Sequence, residues 1–181
     1  MRTKTILILL FAALCGRAAH CQDWKTRLSI DLARYGHRNW IVVADSAYPL
    51  QISPGIETIV VDSDQLAVVR EVVADLARAK HVRAIVYTDS ELSFVPEQEA
   101  KGVGAYREAL AKLLSSQGAH QALPHEQILQ KLDEAGKTFK ILIIKTPLTI
   151  PYTSVFFQLD CGYWSRDAEE RLRAAMASST K

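Results

Sequence analysis

The chain has 181 residues, 22 Lys and Arg against 20 Asp and Glu, a formal net charge of +2, and 49% hydrophobic residues. This is one domain's length, enough to bury a core, and the ordinary composition excludes disordered, fibrous and solenoid chains. Charge so close to balance gives no basis for a nucleic-acid surface, and no basic amphipathic stretch marks a membrane surface.

Residues 1–21 read as a secretory signal peptide. Arg2 and Lys4 form a basic start, Ile6 to Leu14 is an apolar run too short to span a bilayer, and Ala19 and Cys21 suit a signal-peptidase site. The expectation is an exported, periplasmic or secreted protein with no membrane attachment after cleavage. Removing Arg2, Lys4 and Arg17 leaves 19 basic against 20 acidic residues, so the apparent basicity belongs to the signal. The only cysteine left would be Cys161, unable to form an internal disulfide and read as a buried, inert thiol.

Leu28, Leu32 and Tyr35 recur at helical spacing and predict a helix over 24–36, with Gly36 as its stop. Trp40 to Ala44 is a short apolar, β-branched run and reads as a buried strand, followed by Asp45 and a turn-rich segment. Thr58 to Val61 predicts a second strand. Asp62-Ser63-Asp64 offers caps for a helix reaching about Ala79, with Leu66, Val69, Val72, Val73 and Leu76 on one face. Val82 to Tyr87 predicts a third strand, with Asp89 and Glu91 as turn residues beyond it. Residues 97–116 read as helix with a weak point at Gly102 and Gly104, followed by a polar link. A helix then runs from about Pro124-His125-Glu126 to Ala135, closed by Gly136. Phe139 to Ile144 and Ser154 to Leu159 predict the fourth and fifth strands, and 166–178 a last amphipathic helix.

Alternating strands and helices imply a single-domain α/β layered fold with a largely parallel sheet. The domain is expected over 22–164, with 165–181 as a C-terminal helical extension. Ligands of such sheets sit outside the carboxyl ends of the strands, which points to Asp45, Thr88-Asp89 and Lys145-Thr146. Gly102-Val103-Gly104 lacks the third glycine of a dinucleotide fingerprint. His120 and His125 are poorly spaced for zinc, and no nucleophile elbow occurs. Neither a metal nor a cofactor is expected.

What remains is Gly36-His37-Arg38-Asn39-Trp40, then Ala44-Asp45-Ser46-Ala47-Tyr48-Pro49, then Pro124-His125-Glu126-Gln127, Lys145-Thr146 and Pro151-Tyr152-Thr153-Ser154. In this order and spacing the motifs resemble the D-ribose pyranase/L-fucose mutarotase family (RbsD/FucU), from about Ser29 to Trp164. The resemblance implies a cofactor-independent monosaccharide mutarotase or pyranase acting on a ribose- or fucose-like sugar, with ring-shaped homo-oligomers. It suggests His37, Asp45 and His125 as catalytic residues, and Tyr152, Thr153 and Ser154 as the sugar-binding segment. On residue type alone they read as a loop histidine, a turn-forming aspartate, a helix-start histidine and a half-buried aromatic.

Opening a cyclic sugar requires one group to take the anomeric hydroxyl proton and another to protonate the ring oxygen. Histidine suits this because its unperturbed pKa is near neutral. His37 is expected as the principal acid–base, with Asp45 holding a hydroxyl or orienting an imidazole. His125 is expected to stay neutral at a helix start, and Tyr152 to bond or stack on the sugar. Ser154 stands where the family usually has Asn, and Pro147-Leu148 where it usually has Gly-Glu. These departures supply the alternative reading, a non-catalytic sugar-binding or envelope interaction protein on the same fold.

Overall fold

The apolar runs of the central strands carry side chains that need cover on both faces, and they form the middle of one six-stranded sheet. The computed structural model describes residues 24–179, and the expected signal segment, 1–21, lies outside them. In chain order the elements are α1 (24–34), β1 (Trp40–Ala44), β2 (Ile56–Val60), α2 (Gln65–Arg78), β3 (Val82–Asp89), a 3₁₀ turn (Ser90–Phe94), α3 (Val103–Leu114), β4 (Ala119–Leu123), α4 (His125–Gly136), β5 (Ile141–Lys145), β6 (Val155–Cys161) and α5 (Arg166–Ser179). The strand order is β2-β5-β1-β6-β3-β4. The β1/β5, β2/β5 and β3/β4 pairs are parallel, and β6 runs antiparallel to both its neighbours. Five strands therefore share one direction, as a largely parallel sheet requires.

Period-two alternation splits each central strand between two cores. Ile41 and Val43 of β1, Leu142 and Ile144 of β5, and Phe157 and Leu159 of β6 pack with Leu28, Leu32, Val69, Val72 and Leu110 from α1, α2 and α3. Trp40, Val42, Ile141, Ile143 and Phe156 face the other way, onto Ile128 and Leu132 of α4. All five residues of β1 are buried, which is why it reads as a continuous apolar run. Trp40, Phe156 and Phe157 are core residues, whereas Trp164 is 42% exposed.

Several expectations need correction. The link between α3 and α4 holds a sixth strand, β4, which pairs only with β3 at the sheet edge. Its Ala-His-Gln-Ala-Leu sequence is mostly exposed and carries no apolar alternation, so periodicity does not reveal it. The expected helix over 97–116 begins only at Val103. Gly102 adopts φ +91° at its N-terminus, and the Glu97 carboxylate accepts the Gly102 and Gly104 N–H groups at 2.5 and 3.0 Å. The glycines start the helix and do not weaken its middle. Asp64 caps α2 as expected, accepting the Ala67 N–H at 2.9 Å. Cys161 is half-buried at the end of β6 and not sealed in the core. Helix α5 has no fully buried residue. Among the described residues no helix is long and apolar enough to cross a membrane.

Candidate functional site

Strand direction decides which residues meet. β1, β3, β4 and β5 all end at one edge of the sheet, and the reversed strand β6 begins there. Val155 pairs with both Val43 and Thr88, which sets Ser154 just beyond the ends of β1 and β3. Asp89 lies opposite Leu123 in the β3/β4 register, so His125, two residues later, lands beside the Asp89 side chain.

Asp45 follows β1 and is held on both oxygens. Oδ1 accepts the Ala47 N–H at 2.9 Å, and Oδ2 accepts the Ser154 hydroxyl at 3.1 Å. His125 opens α4. Its N–H donates to both oxygens of Glu91, at 3.0 and 3.1 Å, and its Nδ1 lies 3.1 Å from Asp89 Oδ1. The edge of its ring meets Tyr152, with centroids 5.7 Å apart and planes at 82°. Tyr152 is 39% exposed and adopts φ +58°, a left-handed conformation that costs a non-glycine residue roughly 1 kcal/mol.

A buried polar group anchors this segment. Gln65 Nε2 and the Tyr106 hydroxyl both donate to the Thr153 carbonyl, at 2.6 and 2.9 Å, and the Thr146 hydroxyl donates to Gln65 Oε1 at 2.7 Å. Thr153 is fully buried and its own hydroxyl donates to the Ile150 carbonyl at 2.7 Å. Its hydroxyl thus shapes its own loop. Burial pushes the Tyr106 hydroxyl up, keeping it a donor.

Burial is also the largest influence on Asp89, whose carboxyl is pushed up to about 6. The attraction of His125 opposes that rise, while the nearby Glu91 and Asp45 add to it. Glu91 goes the other way. Desolvation favours its neutral form, but the hydrogen bonds led by the His125 N–H outweigh it and hold the carboxyl below its ordinary value.

The sequence-derived residues therefore divide. Asp45, His125, Tyr152 and Ser154 gather at the carboxyl edge of the sheet. His37 does not join them. It lies in the exposed turn before β1, where Arg38 adopts φ +73° and donates its N–H to the Leu159 carbonyl at 2.8 Å. There it lines an open groove with Lys80, Asp160, Cys161 and Trp164. The five residues of β1 separate it from Asp45 by roughly 17 Å at strand spacing. Asp89 corrects the reading in the opposite sense, being the buried last residue of β3 and not a turn residue. A carboxylate at the end of a parallel strand was the available signal. Gln65 and Tyr106 had none, because their partners lie far off in the sequence.

This is an α/β protein with a mixed six-stranded sheet and an acid–base cluster at its carboxyl edge, the fold of the RbsD and FucU structures. One of these is RbsD of Bacillus subtilis complexed with D-ribose, at a TM-score of 0.50 and 18% identity over 88% of this chain and 98% of that one. Another is FucU of Bifidobacterium longum, at 0.52 and 13% over 75% and 94%. At these identities the likeness is one of fold. No family model matches the chain, and no curated protein sequence matches it.

Proposed function

We propose that this chain is a cofactor-independent mutarotase or pyranase for a ribose- or fucose-like monosaccharide. The observation that carries the reading is the convergence of Asp45, His125, Tyr152 and Ser154 at one sheet edge, on the fold of a protein solved with D-ribose bound. In this reading Asp45 holds a sugar hydroxyl, with Ser154 fixing the carboxylate from the other side. Tyr152 lays its ring or hydroxyl against the sugar, and His125 moves a proton between the anomeric oxygen and the site. Each positioned acid or base supplies roughly 10²–10⁴-fold. The reaction transfers neither electrons nor a group, so it calls for no cofactor.

His37, the principal acid–base expected from the sequence, then acts from a second copy of the chain. Its exposed turn is free to face the Asp45–His125 edge of a neighbour, as in a ring-shaped homo-oligomer, and export under the 1–21 signal would place the enzyme outside the cytoplasm. The test is His37→Ala with exchange between sugar forms followed by magnetisation-transfer NMR, together with the mass in solution. We expect an oligomer and at least a 10²-fold loss of exchange, and an unchanged rate would sink the role of His37. One observation favours a second reading, sugar binding without turnover: within one chain His37 stands apart from the cluster. A wild-type protein that binds ribose or fucose in titration, yet leaves exchange at the solvent rate, would select it.

A further inference from the structure

Asp89 is the most deeply sealed ionisable group at this edge, with a side chain of zero exposure. Neither of its oxygens has a hydrogen bond, and His125 Nδ1 has none either, although Oδ1 and Nδ1 stand 3.1 Å apart. Other polar groups at this edge have partners of their own. Thr88 Oγ1 meets His120 Nε2 at 3.0 Å, the Ser154 hydroxyl serves Asp45, and Lys145 Nζ donates to the Tyr48 carbonyl at 2.6 Å. The Tyr48 hydroxyl bonds Gln51 at 3.3 Å. Among the described residues the His125 imidazole is the unpartnered polar side chain that stands within hydrogen-bond distance of Asp89.

The histidine is placed for that partnership. Glu91 clamps its backbone N–H, and Tyr152 meets its ring edge-on. A small rotation about the terminal side-chain torsion, which is broad for histidine, brings an Nδ1–H into line with Oδ1. A buried carboxylate without a donor is strongly disfavoured, so the pair is stable with the proton on Nδ1.

We propose that Asp89 is the positioning residue of the site: it accepts the Nδ1 proton of His125 and so presents the bare Nε2 of that ring to the ligand. The inference rests on the sugar-isomerase reading for the identity of the ligand, and it deepens that reading by assigning His125 the base's role toward the anomeric hydroxyl. That hydroxyl has a proton to give and needs an acceptor. An Nε2–H ring would present a donor instead and could not take the proton.

The test reads the imidazole directly. In ring-¹⁵N-labelled wild-type protein without sugar, at a pH where the ring is neutral, His125 should show a protonated Nδ1 and an unprotonated Nε2. Asp89→Asn can turn its amide NH₂ toward Nδ1, so the proton should move to Nε2. Sugar exchange should then fall by roughly 10²-fold or more in kcat, with KM within a few-fold of wild type. Wild-type protein with Nε2 protonated overturns the inference, and so does a variant that keeps the wild-type tautomer. Should Asp89→Asn not fold, the wild-type spectrum alone decides. The tautomer is read with no sugar present. A wild type with the expected tautomer but no sugar exchange would therefore overturn the proposed function and leave the Asp89 assignment standing.

Discussion

The charge on Asp89 should make the protein less stable as pH rises. Burial shifts this carboxyl from 3.8 to about 6, and two pKa units correspond to about 3 kcal/mol at 1.36 kcal/mol per unit. The sign follows from proton binding. Between the two values the folded protein holds a proton that the unfolded chain has lost, so stability is fully present below the unfolded pKa and declines through the folded one. Asp89→Asn removes this titration while keeping the shape of the side chain. Unfolding free energies of wild type and variant, measured in urea from about pH 3.5 to about pH 8, should therefore diverge, with the variant gaining on wild type by about 3 kcal/mol across the range. Taking the difference cancels the other carboxylates, which titrate in both proteins. A difference flat to within about 0.5 kcal/mol would refute the reasoning, because Asp89 would then ionise as it does in water. A wild type that gains on the variant with rising pH would refute it too, by making the contact with His125 stronger than the cost of burial.

Gln65→Leu should destabilise the protein by roughly 1–3 kcal/mol in urea unfolding, since it takes away one of two donors to the Thr153 carbonyl and the nearer of two acceptors of the Thr146 hydroxyl. It should also weaken sugar binding in titration, because the same contacts hold the loop that carries Tyr152. Gly55→Ala would place a Cβ 2.2 Å from the Phe139 carbonyl and 2.4 Å from that of Gly136, and the required backbone shift should cost on the order of 3 kcal/mol, read as a fall in Tm. Gly36→Ala is its control. No described residue lies within 4 Å of the new atom, and stability should stay within about 0.5 kcal/mol.

The central strands were plain in the sequence because burial on both faces demands unbroken apolar runs, as at Trp40 to Ala44 and Ile141 to Ile144. The edge strand Ala119–Leu123 was hidden for the same reason inverted. It covers no core, so its composition is free to look like a loop. Asp45, His125, Tyr152 and Ser154 were picked out by local motif and order, and the fold brings Ser154 to Asp45 and Tyr152 to His125 at the same sheet edge. Thr153 was picked out with them, yet its hydroxyl turns into its own loop. Asp89 was seen at its place after a strand but given the wrong part, since neither its burial nor its neighbour can be read from Thr-Asp-Ser.

Sequence alone determined the buried strands and most of the helices, and which chemistry-bearing residues stand at their ends. Both are local properties, set by periodicity, turn residues and caps. It could not determine that β6 runs against the other strands, that β5 inserts between β1 and β2, or that β4 pairs with β3. Those pairings join segments tens of residues apart and depend on how whole faces pack. They alone bring Ser154 to Asp45 and His125 to Asp89, and they alone leave His37 at the far end of β1.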